Sequence, residues 1–345
     1  MKQPDGLKPL GDLLSSFSLP AAATAPRKTD KSALSPIKRR LLDGVARAVE
    51  RPDEPQNIVF QHSVLCQTCL PYRDPGDDVR LWERRNGQVH LQINAGSALH
   101  PEEERFVDLG LPYGPKARMI LMHINQRALA QQSNEIEIQD SLTKFVRRTL
   151  ELDPNGRTMR TVKDQLARLA ASSTRFGMAK DGHAVTINSQ IISAFDLWFP
   201  KDDRQRVLWP STIRLSLEYW ESLKAHAVPL DEDHIGRLSH SALALDIYAW
   251  LANRLHRVPT SRPITLSWPA LHAQFGQGYK RIDHFRAAFR VALREVMALY
   301  RTARIDLHEE RSRPYPVSSG HAIALRESKA KGLTLHHSPP PVARS

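Results

Sequence analysis

Apolar side chains recur at every second residue at Ile58 and Phe60, at Val79 and Leu81, and again at Val89, Leu91 and Ile93. A period of two marks half-buried strands. The later two runs flank Asn86-Gly87, a pair suited to the positive φ angles of a type I′ turn, and so predict a hairpin. The period then changes. After Pro115, residues Ala117, Ile120, Leu121, Ile124, Ala128 and Leu129 fall three and four apart, as on one face of a helix. Ile136 and Ile138 predict a short strand. Asp140 or Ser141 can cap a helix from Leu142 to Leu150. A turn at Asp153-Pro154-Asn155-Gly156 leads into a helix from Arg157 to Ala171, with Val162, Leu166 and Leu169 on one side. A hairpin follows, Thr174 to Met178 and Ala184 to Ile192, turning at Lys180-Asp181-Gly182.

The same order returns downstream. Ile213, Leu215 and Leu217 alternate as a strand, and Leu243, Ile247, Trp250 and Leu251 mark a helix from Ser241 to Leu255. Ile264 and Leu266 form a short strand. Ser267 and Pro269 open a short helix that Gly276 and Gly278 end. A long helix runs from Arg281 to Tyr300, and Arg304 to His308 with His321 to Leu325 supply two more strands. Helix, short strand, helix, helix, hairpin is the order of a winged helix. The pattern therefore predicts an α+β fold of two tandem winged-helix domains, 56–200 with an N-terminal β-hairpin extension and 205–325, joined by a linker from Asp196 to Pro210.

Residues 1–55 are rich in Ala, Pro, Ser and Lys and carry Arg27, Lys28, Lys38, Arg39 and Arg40, which reads as a disordered basic arm. Residues 326–345 read as a second disordered tail. The chain has 345 residues, enough for two domains. No apolar run nears the roughly 20 residues that span a bilayer, and no secretory signal opens the chain. Two cysteines exclude a disulfide framework and suit a reducing cytosol. The expectation is a cytoplasmic protein with no membrane partner.

Charge narrows the partner. Lys+Arg number 49 against 37 Asp+Glu, a net charge of +12, which attracts polyanions. In the last helix Ile282, Phe285, Phe289, Leu293 and Val296 share an apolar face. Arg286, Arg290 and Arg294 form a separate stripe beside it, with Lys280 and Arg281 at the N-terminal end. From Lys280 to Arg313 there are nine Lys/Arg against five Asp/Glu, and from Arg157 to Lys180 six against one. Both stretches are helix-plus-wing regions. They nominate Arg157, Arg160, Lys163, Arg175, Lys180, Lys280, Arg281, Arg286, Arg290, Arg294, Arg311 and Arg313 as contacts to double-stranded DNA, phosphates first and guanine edges second. An arginine stripe is also what the solvated face of an ordinary helix looks like; its occurrence in two equivalent places favours DNA.

Other motifs fall short of chemistry. Gly110-Leu-Pro-Tyr-Gly114-Pro-Lys116 has glycines too close for a phosphate loop and reads as a turn leading into a helix. His62, Cys66 and Cys69 are three zinc-type ligands lacking a fourth, so packed thiols or a sensitive dithiol fit better than a metal site. His234-Ile-Gly-Arg237 resembles a tyrosine-recombinase pair, but Tyr248 lies inside a core helix. No catalytic residue, cofactor or metal is expected.

The string His62-Ser-Val-Leu-Cys-Gln-Thr-Cys-Leu-Pro-Tyr72-Arg73, with Leu109-Gly-Leu-Pro-Tyr-Gly-Pro-Lys-Ala-Arg118, resembles the plasmid-encoded RepA replication initiator family, as do Ser141 to Arg148, Gly156 to Leu169 and Ser193 to Pro200. The resemblance covers Pro55 to Leu325. It implies a replication initiator that binds repeated sites in its plasmid origin, helps open the duplex, recruits host helicase or initiator proteins and self-associates, often as a dimer. It carries no catalytic residues. The rivals are a transcriptional repressor of the same fold, a DNA-processing recombinase or relaxase, and a redox- or zinc-responsive regulator using Cys66 and Cys69.

Overall fold

The computed structural model describes residues 35–50, 57–100, 103–137, 146–147, 155–180, 182–194, 212–255, 264–307 and 321–326. The predicted linker at Asp196–Pro210, almost all of the predicted helix Leu142–Leu150, the 327–345 tail, and Arg311 and Arg313 lie outside them.

The first half opens with α1 (Pro36–Glu50), β1 (Ile58–His62) and α2 (Ser63–Gln67). The strands β2 (Leu81–Asn86), β3 (Val89–Asn94), β4 (Ser97–His100) and β5 (Arg105–Asp108) follow. Then come α3 (Gly114–Gln131), β6 (Glu135–Glu137), α4 (Gly156–Ala171), β7 (Ser173–Lys180), β8 (His183–Gln190) and β9 (Ile192–Ala194). The second half comprises β10 (Thr212–Leu215), α5 (Leu217–His226), β11 (Ala227–Asp231), α6 (Glu232–Arg237), α7 (Ala242–Leu255), β12 (Ile264–Ser267), α8 (Trp268–Phe275), α9 (Ile282–Leu299), β13 (Arg304–Leu307) and β14 (His321–Arg326). Local chemistry explains the helix starts. Asn155 accepts from Thr158 N–H ahead of α4, Ser216 from Tyr219 N–H ahead of α5, and Ser267 from Ala270 N–H ahead of α8.

Five expectations need correction. Part of the supposed disordered arm is α1. Its Leu41 and Val45 pack on the core, and at Gly44 it comes so close that an added Cβ would stand 2.8 Å from Leu299 Cδ2. Leu217 is not a strand residue, because the Ser216 cap turns the chain into α5 there. Val79 likewise precedes its strand, which starts at Leu81. The Asn86-Gly87 hairpin is not type I′. Its loop residues are Gly87 and Gln88, and only Gly87 takes a positive φ, 58°, which matches the II′ pattern.

The last correction concerns the domain boundary. Strand β1 pairs antiparallel with β11, Ile58 opposite Asp231, and β10 lies between β6 and β9. Strands from either side of the 200/205 boundary thus complete each other's sheets, and one continuous apolar core joins residues of both halves. The pair β7–β8 extends the β2–β3 hairpin into a four-stranded sheet, order β2-β3-β7-β8. In the second half β12, β14 and β13 form their own antiparallel sheet in that order.

Candidate nucleic-acid interface

The apolar side of α9 is packed as its sequence predicts: Phe285, Phe289, Leu293 and Val296 are buried. The arginines beside it are less free than expected. Arg286 and Arg290 lean back over Trp268 of α8, with guanidinium carbons 5.4 and 5.1 Å from the ring centroid. Trp268 is itself only 1% exposed. Arg294 is half-buried, and the Nε atoms of Arg290 and Arg294 are buried with no hydrogen-bond partner among the described residues. A spacing of four residues advances about 400°, so the row drifts roughly 40° per step around the helix, yet all three arginines stay half-buried. Lys280 and Arg281 are exposed at the N-terminal end. Arg281 is tied to Asp283 at 2.7 Å and, by hydrogen-bonding it, holds that carboxyl down to about 2. The outermost ridge of α9 holds His284, Ala287 and Val291, all exposed.

In the first half, Arg157 and Arg160 are exposed on the opening turns of α4, and Lys163 is half-buried one turn later. Arg168, counted above among the positive charges, is neutralised by Asp164 at 2.9 Å and Asp74 at 3.6 Å and lies over the Tyr113 ring. Arg175 is engaged too. It belongs to a cross-strand row in which Gln92 donates to Glu83, Arg175 donates to Gln92, and Arg175 Nε donates to Asn188 at 3.0 Å. This row lies on the outer face of the four-stranded sheet, above an open groove of about 560 Å³ that Arg85 and His90 also line. Lys180 ends β7.

Two cations that pattern reading missed join this patch. Lys116, at the start of α3, has its ammonium pushed below the usual lysine range by burial, and then by Arg157 and Arg40. Three elements, α1, α3 and α4, thus bring like charge together. The sequence signal was present in Lys116 and Arg40, but only the fold shows that they meet Arg157.

Buried polar contacts connect the two basic regions. Arg118 of α3 makes a bidentate pair with Asp246 of α7, both contacts at 2.7 Å, and donates further to the carbonyls of Leu70, Pro71 and Gly114. Arg84 of β2 donates to the carbonyls of Ala273 and Gln274 at the end of α8, at 3.0 and 2.6 Å. Asn86 and Gln274 both donate to the Gln67 carbonyl. The N-terminal hairpin therefore holds the helix on which α9 rests.

The histidine and cysteines are used differently from a metal centre. His62 Nδ1 accepts from Val64 N–H, so its Nε2 proton goes to Ser222 Oγ at 2.9 Å. The ring stacks on Phe176 at 4.7 Å, and burial, with His226 nearby, lowers its pKa to about 3. Both ring nitrogens are thereby occupied. Cys66 and Cys69 are buried free thiols, and burial raises the Cys69 pKa. Among the described residues no group of three His, Cys, Asp or Glu could hold a metal ion. His234 and Tyr248 contact each other at 3.1 Å, and the Tyr248 hydroxyl also accepts from Asp231 N–H; Arg237 pairs with Asp233. These residues pin α6 to α7.

Residues 111–269 match the family described as plasmid encoded RepA protein. Over this stretch, a little under half of the chain, the sequence is similar to the RepA family. The RepA match spans α3 to the first turn of α8 and so includes α4, while α9 lies beyond it. No curated protein matches the chain. The fold is similar to that of a crystal structure of domains 2 and 3 of RctB, with a TM-score of 0.51 at 9% identity, over 77% of this chain and 98% of that one. A second crystal structure of RctB domains 2–3 gives a TM-score of 0.47 at 8% identity, over 76% and 96%. Among the described residues no helix of the chain is long and apolar enough to cross a membrane.

Proposed function

We propose that the chain is a plasmid replication initiator, a non-catalytic protein of the cytoplasm that binds double-stranded origin DNA and promotes its opening and the loading of host helicase. One observation carries the DNA-binding reading. The series α7, β12, α8, α9, β13 and β14, with its strands in the order β12-β14-β13, fits the element order of a winged helix, and its last helix has Lys280 and Arg281 at its N-terminal end and carries Arg290 and Arg294. In such a unit that helix enters the major groove while its flanks meet phosphate. The first half repeats the order, with β10 and β3 taking places in its sheets, and offers Arg157, Arg160, Lys163, Lys116 and Arg40 as a second phosphate contact. The match of residues 111–269 to the family described as plasmid encoded RepA protein supports replication as the context.

Self-association would present two such surfaces to repeated sites. The test is genetic. The gene with its flanking plasmid DNA is joined to a selectable marker that has no other origin and introduced into a suitable host. Replicating plasmid is expected with the natural chain and not with the Arg290→Ala/Arg294→Ala variant. Equal replication by the variant would remove α9 from the reading, and repression of the chain's own promoter without replication would overturn the initiator reading itself.

A further inference from the structure

The residues that α9 presents most openly are not its arginines. His284, Ala287 and Val291 stand three and four apart on the solvent ridge, while Arg286 and Arg290 fold back onto Trp268. Val291 is 56% exposed at mid-helix. A β-branched residue there lowers helix propensity and packs on nothing in the core, so it serves neither the helix nor the fold. From Ala287 to Val291 the ridge advances about 6 Å, close to two base-pair steps of duplex DNA. At Ala287 and Val291 it offers only methyl groups. The base edge that matches a side chain with no donor and no acceptor is the thymine C5 methyl, which projects into the major groove. Exposed cations at Lys280 and Arg281, with Arg294 beside the ridge, suit phosphates on either side.

We propose that Ala287 and Val291 are specificity-determining residues that read thymine methyl groups in the major groove, an inference that rests on α9 being the DNA-reading helix. The full chain is used to select bound duplexes from a random-sequence pool. The selected duplexes are then remade with deoxyuridine in place of thymidine, which removes only the methyl groups. Affinity is expected to fall about fourfold for each buried methyl lost. Val291→Ala should discriminate less between the two forms, keeping only the share due to Ala287, whereas Val291→Thr, which keeps one methyl, should fall between it and the natural chain. The thermal melting of the variants checks that each is folded. Selection that enriches no duplex removes the DNA reading and this inference with it. Enrichment followed by equal binding of thymidine and deoxyuridine duplexes overturns the methyl contact alone, as does a Val291→Ala chain that discriminates as fully as the natural one.

Discussion

Lys116 occupies a place in the free protein that disfavours its own charge. Burial lowers its pKa first, and Arg157 and Arg40 lower it further. The folded chain therefore releases that proton more readily than the unfolded one, and a charged Lys116 opposes folding at neutral pH. A phosphate placed among the three cations would reverse the balance. Lys116→Met is expected to raise the melting temperature of the free protein while weakening duplex binding; a variant that gains stability and keeps full affinity would show the cluster to be idle. His62 and His123 titrate in the opposite sense to a paired histidine. Burial lowers both to about 3 from 6.5. As pH falls below about 6.5 the unfolded chain takes up protons that the native chain refuses, so stability should decline between pH 6.5 and 3. Urea unfolding across that window measures it, and His123→Gln should reduce the slope by about one proton. A flat profile would contradict the assigned burial.

At the scale of elements, Arg84 is the test of how the hairpin supports the helices. Its guanidinium caps α8 by donating to the Ala273 and Gln274 carbonyls. Hydrogen bonds to a charged donor contribute about 1.5–3 kcal/mol. Arg84→Ala is expected to cost stability of that order and to weaken DNA binding without touching DNA; unchanged affinity would mean that α8 and α9 keep their position unaided. These elements differ in how well their residues announce them. Helices α4, α7, α8 and α9 were legible because each carries a clear apolar face and most have a capping residue or a proline start. Strand β11 and helix α6 were not, since Pro229 interrupts the first and the second is only one and a half turns long. Nor could alternation tell β1 that its partner is β11, because period two reports which face is buried and not which strand lies alongside. The arginine row was visible as a row; its retreat onto Trp268 depends on a neighbour that a single helix pattern does not contain.

Over the whole molecule, the two halves share strands, a core and a buried ion pair. Arg118 is 1% exposed and Asp246 8% at the side chain. Removing one partner strands a buried charge, so Asp246→Ala is expected to cost about 3–5 kcal/mol in urea unfolding, and the halves should melt together. Two separate transitions would indicate independent domains after all. The shared strands and core also fix the spacing of the two basic regions. The most direct measurement is the affinity of the chain for a labelled duplex from its origin region, taken at several salt concentrations and repeated with Arg290→Ala/Arg294→Ala. The natural chain should show log affinity falling linearly with log salt, and the variant should bind more weakly with a slope shallower by about two. Binding that ignores salt, or a variant with the natural chain's slope and affinity, would remove α9 from the interface.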